Sequence, residues 1–245
     1  MLCHFDTLIH FDTMGVLVMI KIGILFSLTG TTSITERGQY QAALFALQEY
    51  NQSVTEKSKL IEFVICDIQS DPQLTYNAVE KLIEDGVKIF IGTYTSACRK
   101  ALLEILEKQE CYLIYPALYE GQEMHPNIFY AGEVTHQQIY PTLHYIMDNF
   151  GPKLHLIGND YIYPRATNKE IKRYWKLLGG EITGEDYVSF GHANFEEIFN
   201  KSILQQSDAI FSTLVGESLV PFYRTFKRLG LSATTLPIFS ATTKE

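Results

Sequence analysis

Val87 to Tyr115 reads VKIFIGTYTSACRKALLEILEKQECYLIY. An apolar run, Val87–Gly92, gives way to a hydroxyl-rich turn, Thr93-Tyr94-Thr95-Ser96. A segment with helical periodicity then runs to Gln109, and a second apolar run follows at Tyr112–Tyr115. Two short β-type runs separated by a helix of about ten to fifteen residues read as a βαβ unit, whose strands are parallel.

The alternation extends in both directions. Upstream, Lys21–Ser27 and Leu60–Asp67 read as strands, with helices over Thr35–Asn51 and from Pro72 to Asp85, where proline suits a first turn. Downstream, an extended piece at Asn127–Ala131 and a helix over Gln137–Phe150 lead into a second series. Its strands are Leu154–Gly158, Glu181–Val188, Ala209–Thr213 and Leu236–Ala241; its helices are Arg165–Leu178, Phe195–Gln206 and Ser218–Leu229. The pattern predicts an α/β fold of two Rossmann-like lobes with parallel sheets, residues 20–132 and 133–245, the second cut short at its C-terminal end. Residues 1–19, which include a tandem copy of a six-residue unit in His4–Thr13, are expected to form a poorly ordered extension.

Composition narrows the function. The chain has 245 residues, of which 46% are hydrophobic and 20% charged, enough to bury a sizeable core. Against 20 basic residues stand 28 acidic ones, a formal charge of −8, so no nucleic-acid partner is expected. Cys3, Cys66, Cys98 and Cys111 share no CxxC spacing, and no histidines stand at ligand spacing, so no metal site is expected. His136, His155 and His192 have no partner at catalytic spacing, and Asp67, Asp71 and Asp160 are separate loop carboxylates. The first strand reads Gly23-Ile-Leu-Phe-Ser-Leu-Thr-Gly30, without a GxGxxG, and there is no Walker loop or GxSxG elbow. No cofactor is therefore expected. The apolar stretch Met14–Phe26 is interrupted by Lys21 and too short to span a membrane; Asp6 and Asp12 stand where an export signal would carry basic residues. The reading is a cytoplasmic protein, with a periplasmic one as the alternative if the start has been altered.

In open parallel sheets, ligands bind beyond the carboxyl ends of the strands. Those positions hold Ser27 and Thr29, Thr93 to Ser96, Tyr115 to Tyr119, Asp160 to Pro164, Thr213 to Val215, and Thr242-Thr243. They are rich in hydroxyls and aromatic rings and nearly uncharged. Such groups suit a small neutral ligand that both donates and accepts hydrogen bonds, as an amide or urea does. Ser96 opens a helix and reads either as an N-cap or as a donor to a ligand carbonyl. Cys98, two residues on, is the candidate nucleophile of a rival reading, a cysteine-dependent amide hydrolase.

The strings Ile22-Gly-Ile-Leu-Phe-Ser-Leu-Thr-Gly30, Gly92-Thr-Tyr-Thr-Ser-Ala-Cys-Arg-Lys100, Tyr115-Pro-Ala-Leu-Tyr-Glu-Gly121, Pro126-Asn-Ile-Phe-Tyr130 and Gly158-Asn-Asp-Tyr-Ile-Tyr-Pro-Arg165 resemble the amide/urea branch of the type I periplasmic-binding-protein fold. That branch includes a cytoplasmic amide sensor that regulates amidase expression, and the exported urea-binding receptors of ABC transporters. The resemblance implies a non-catalytic binder with Tyr94, Ser96, Tyr115, Tyr161 and Tyr163 around the ligand, together with Thr213 and Thr242. It departs from the sensor at Ala117, where the sensor carries a threonine. Tyr94 and Tyr161-Ile-Tyr-Pro-Arg165 look closer to the sensor, whereas Gln137-Gln138 and Phe190-Gly-His192 look closer to the receptors. A regulatory sensor of amide metabolism is the main expectation and a transport receptor the alternative. The implied partners are correspondingly a regulatory protein or an ABC permease, and a homodimer is compatible with either.

Overall fold

A computed structural model describes residues 20–56, 60–200 and 206–242; the extension expected over residues 1–19 lies outside the described residues. The chain divides into two compact units. One comprises residues up to Ala117 with Met124–Gly132, the other Leu118–Glu123 with residues from Glu133 onward.

The first unit runs β1 (Ile20–Phe26), α1 (Ser33–Ser53), β2 (Ile61–Asp67), α2 (Pro72–Glu84), β3 (Ile89–Gly92), α3 (Ser96–Ala101), α4 (Leu103–Lys108), β4 (Tyr112–Tyr115) and β5 (Ile128–Tyr130). Its strands pair in the order β2-β1-β3-β4-β5, all parallel. The order reverses between β1 and β3, the switch point at which the loops leaving two neighbouring strands diverge and open a crevice. Ile22, Ile24 and Phe26 of β1 pack with Leu47 of α1 on one face of this sheet. Asp71 caps α2 by accepting the Leu74 N–H at 2.8 Å, and Pro72 occupies the first helical turn, where no N–H is needed.

The helix expected over Ser96–Gln109 is two helices. The Leu102 N–H bonds Arg99 O at 3.0 Å, an i→i+3 contact that tightens the turn between α3 and α4. Thr95, not Ser96, is the cap of α3: its hydroxyl accepts the Cys98 N–H at 3.2 Å. Ser96 is therefore the first helical residue.

The second unit runs α5 (Thr135–Asn149), β6 (Lys153–Asn159), α6 (Ile162–Leu177), β7 (Glu181–Val188), α7 (Glu196–Phe199), β8 (Ala209–Thr213), α8 (Leu219–Arg228) and β9 (Ile238–Ser240). Its parallel sheet has the order β7-β6-β8-β9, with a switch point between β6 and β8. Leu154 and Leu156 of β6 pack with Ile171 and Trp175 of α6 on one face; Ile157 and Ile210 pack with Phe195, Phe199 and Phe222 on the other. Helix α6 begins three residues earlier than its periodicity suggests, because Pro164 falls in the first turn, where it displaces no hydrogen bond. Tyr163 is accordingly a helical residue rather than a loop residue. Of the helix expected over Phe195–Gln206, residues 201–205 lie outside the described residues. The helix expected over Ser218–Leu229 is a 3-10 turn, Gly216–Ser218, followed by α8.

Candidate functional site

In the first unit the switch-point loops leave β1 and β3. At the end of β3 the backbone makes two unusual steps. Gly92 has φ +128°, and a Cβ there would stand 2.1 Å from Leu25 O, so only glycine lets β3 close on β1. Thr93 follows in the left-handed region at φ 55°, held by its N–H bonding Leu25 O at 2.7 Å. These steps turn the chain out of the sheet and present Tyr94, Thr95 and Ser96 in succession.

Ser96 and Tyr94 are both buried. The Tyr94 carbonyl accepts the Tyr115 hydroxyl at 2.7 Å, and the Tyr115 ring lies under the Arg99 guanidinium, 4.8 Å from its centroid. Tyr115 thus braces the turn through its hydroxyl and ring. Burial pushes the Tyr94 phenol well above its ordinary pKa, and the nearby Glu36 carboxylate adds to the shift.

Two carboxylates hold the other loop, between β1 and α1. Glu36, buried in the first turn of α1, accepts the Ser27 N–H at 2.7 Å and the Thr32 hydroxyl. Asp67, at the end of β2, accepts the N–H groups of Leu28 at 2.9 Å and Thr29 at 3.2 Å, and the Thr29 hydroxyl at 2.6 Å. The Ser70 N–H donates to Ser27 Oγ at 2.8 Å, and the Thr32 N–H to Ser70 Oγ at 3.0 Å. Ser27 and Thr29 are therefore engaged in shaping the loop.

In the second unit Asn159, which the sequence reading passes over, is the fully buried node at the end of β6. Its Nδ2 donates to Ser189 O at 3.2 Å and Ser218 Oγ at 3.1 Å, and its Oδ1 accepts the Val215 N–H at 2.8 Å. One side chain thereby ties together the loops that leave β6, β7 and β8. The available signal is an amide at the last position of a strand run, directly before Asp160-Tyr161.

Tyr161 is the extended residue before α6, and its ring lies 6.4 Å from that of the buried Tyr163 and 4.9 Å from that of Phe190. Asp160 pairs with Arg165 at 2.8 Å, and the Arg165 guanidinium covers the Tyr187 ring at 3.9 Å. Thr213 and Thr242 serve the scaffold. The Thr213 hydroxyl lies 3.3 Å from both Ile157 O and Asn168 Oδ1, and the Thr242 hydroxyl donates to Leu214 O. Of the expected residues, Tyr94, Ser96 and Tyr115 lie in the first unit and Tyr161, Tyr163, Thr213 and Thr242 in the second, where Tyr161 and Tyr163 are neighbours.

Cys98 is fully buried in α3, and burial pushes its thiol above the ordinary range, which disfavours the thiolate a nucleophile needs. His155 does have a partner: its Nε2 lies 2.9 Å from Asp186 Oδ2, across β6 and β7 and under the sheet surface. Among the described residues no group of three or more His, Cys, Asp or Glu side chains could hold a metal ion. No helix of the described residues is long and apolar enough to cross a membrane.

Residues 20–245 match the family model described as "Periplasmic binding protein domain". Leu/Ile/Val-binding protein homolog 1 of Brucella abortus (strain 2308) is 24% identical over 186 residues, which are 74% of this chain and 50% of that protein. The solute binding protein of an ABC transporter from Rhodopseudomonas palustris HaA2, in complex with p-hydroxybenzoic acid, superposes with a TM-score of 0.80 at 17% identity. That superposition covers 91% of this chain and 61% of the other. The branched-chain amino acid transporter substrate binding protein LivJ from Streptococcus pneumoniae, in complex with isoleucine, also gives 0.80, at 21% identity, over 91% of this chain and 64% of that one. The chain spans about half the length of the curated relatives it matches.

Proposed function

The chain belongs to the family of periplasmic binding protein domains, and from that premise we propose that it is a non-catalytic solute-binding protein of the ABC-transporter type, taking a small neutral amide or urea. The observation that carries this reading is the β3–α3 turn. Tyr94, Thr95 and Ser96 follow one another at a switch point, with Thr95 capping α3 and Tyr94 and Ser96 buried beside it. Hydroxyl groups donate and accept, which matches the mixed donor–acceptor edge of an amide better than a carboxylate, which only accepts.

The similarity to transport receptors favours this role over a cytoplasmic sensor of amide metabolism, and the comparisons lend the cytoplasmic placement no support. A receptor of this type hands its solute to a membrane permease, so the partner proposed here is an ABC permease. The p-hydroxybenzoate and isoleucine of the two solved relatives define the competing ligand classes, an aromatic acid and a branched-chain amino acid.

A thermal-shift panel of acetamide, urea, isoleucine and 4-hydroxybenzoate separates them. A rise in melting temperature with acetamide or urea, and none with the two carboxylates, is the expected pattern. A response confined to isoleucine or 4-hydroxybenzoate rejects the amide assignment. Release of ammonia from acetamide, abolished by iodoacetamide, points instead to a Cys98 hydrolase.

A further inference from the structure

Thr93 carries two costs at once. Its φ of 55° places a β-branched residue in the left-handed region, where glycine or asparagine sits with far less strain. Its hydroxyl is fully buried and has no hydrogen-bond partner among the described residues. Neighbouring hydroxyls at the same strand ends do have partners: Thr95 caps α3, Thr32 meets Glu36, Ser27 accepts from Ser70, and Thr29 donates to Asp67. The Thr93 N–H bond to Leu25 O, at 2.7 Å, fixes the backbone of this residue at the junction of β3 with β1.

A buried hydroxyl without a partner is costly, and buried polar groups in folded proteins nearly always have one. Strain and an unmet hydroxyl on one residue, directly before Tyr94 and Ser96, have a single explanation if the partner is the bound solute. We propose that the Thr93 hydroxyl is a binding group for the polar head of the solute, a specificity-determining contact alongside Ser96. This rests on the reading that the β3–α3 turn is where the solute binds. The hydroxyl can donate to a carbonyl oxygen or accept from an NH2 group, so the chemistry it selects is a primary amide or urea head.

Thr93→Val keeps the shape, the β-branch and the left-handed strain and removes only the hydroxyl. In the absence of solute, the variant is expected to melt a few degrees higher than the wild type, because a desolvated group without a partner has gone. Its affinity for acetamide or urea is expected to fall about ten-fold, and Thr93→Ser is expected to stay within about two-fold of wild type. A lower melting temperature for solute-free Thr93→Val overturns the proposal, since it reveals a partner inside the protein. Unchanged affinity in Thr93→Val, with Ser96→Ala weakened in parallel, overturns the Thr93 assignment and leaves the site standing. If wild type binds none of acetamide, urea, isoleucine and 4-hydroxybenzoate, the site reading falls and the Thr93 contact falls with it.

Discussion

Glu36 is a carboxylate with almost no access to water, and its two oxygens serve two different ends of one loop, the Ser27 N–H and the Thr32 hydroxyl. Burial raises its pKa above the ordinary carboxylate value, more than those two hydrogen bonds lower it. A carboxyl group with a raised pKa in the folded state binds its proton more tightly there than in the unfolded chain. Its contribution to stability is therefore complete at low pH and is lost as the pH rises from the unfolded value through the folded one. Glu36→Gln removes this titration. The amide oxygen can take the Ser27 N–H, and its NH2 can donate to Thr32, whose hydroxyl then turns toward Ser70 Oγ, 2.6 Å away. The difference in unfolding free energy between wild type and Glu36→Gln should thus change with pH in the window just above the ordinary carboxylate range, wild type losing ground as pH rises. Urea titrations at several pH values measure this; a difference that is flat with pH contradicts it. Glu36→Ala, which leaves the Ser27 N–H unmet, should cost about 1–3 kcal/mol at any pH in that range.

At the scale of elements, the close approaches of backbone are the sensitive points. Gly92→Ala would place a Cβ 2.1 Å from Leu25 O at φ +128°, and the β1–β3 junction should lose about 3 kcal/mol or more. Gly180→Ala meets the indole instead, with its Cβ 2.2 Å from Trp175 Nε1. Trp175 is the one tryptophan of the chain and donates from Nε1 to Pro152 O at 2.9 Å. The variant should therefore shift the fluorescence maximum to the red and lower stability by about 2–4 kcal/mol; an unshifted spectrum would show that the indole had not moved. Much at this scale was legible in the sequence. Strands β4, β7 and β8 have the bounds that the sequence assigns; β8, buried along its whole length, carries the apolar signature of a central parallel strand, whereas β7 is an edge strand of mixed polar and apolar residues. What stayed hidden depends on register between distant segments. His155 and Asp186 are 31 residues apart and meet only because β6 lies beside β7. Asn159 gains its role from three loops brought to one edge, and Glu36 sits in a helix whose periodicity says nothing of the strand end it reaches. The break after Ala101 and the capping by Thr95 are likewise local geometry that a continuous helical pattern conceals.

Across the whole molecule, a formal charge of −8 sets the field in which a solute arrives. An anionic solute would be repelled by that field and would bind better as salt screens it, whereas a neutral amide carries no net charge for the field to act on. Acetamide affinity should accordingly stay within about two-fold between low and high ionic strength. Acetamide has few heavy atoms, and at about 1.5 kcal/mol for each the ceiling is near 6 kcal/mol, a dissociation constant of some tens of micromolar at best. Isothermal titration calorimetry of acetamide into the wild-type protein and into Ser96→Ala tests the central claim, solute capture by the hydroxyls at the strand ends, most directly. The account predicts saturable one-to-one binding to wild type, weakened by about ten-fold in Ser96→Ala. Silence with acetamide and urea, with saturable heat from isoleucine or 4-hydroxybenzoate that Ser96→Ala leaves unchanged, would contradict it.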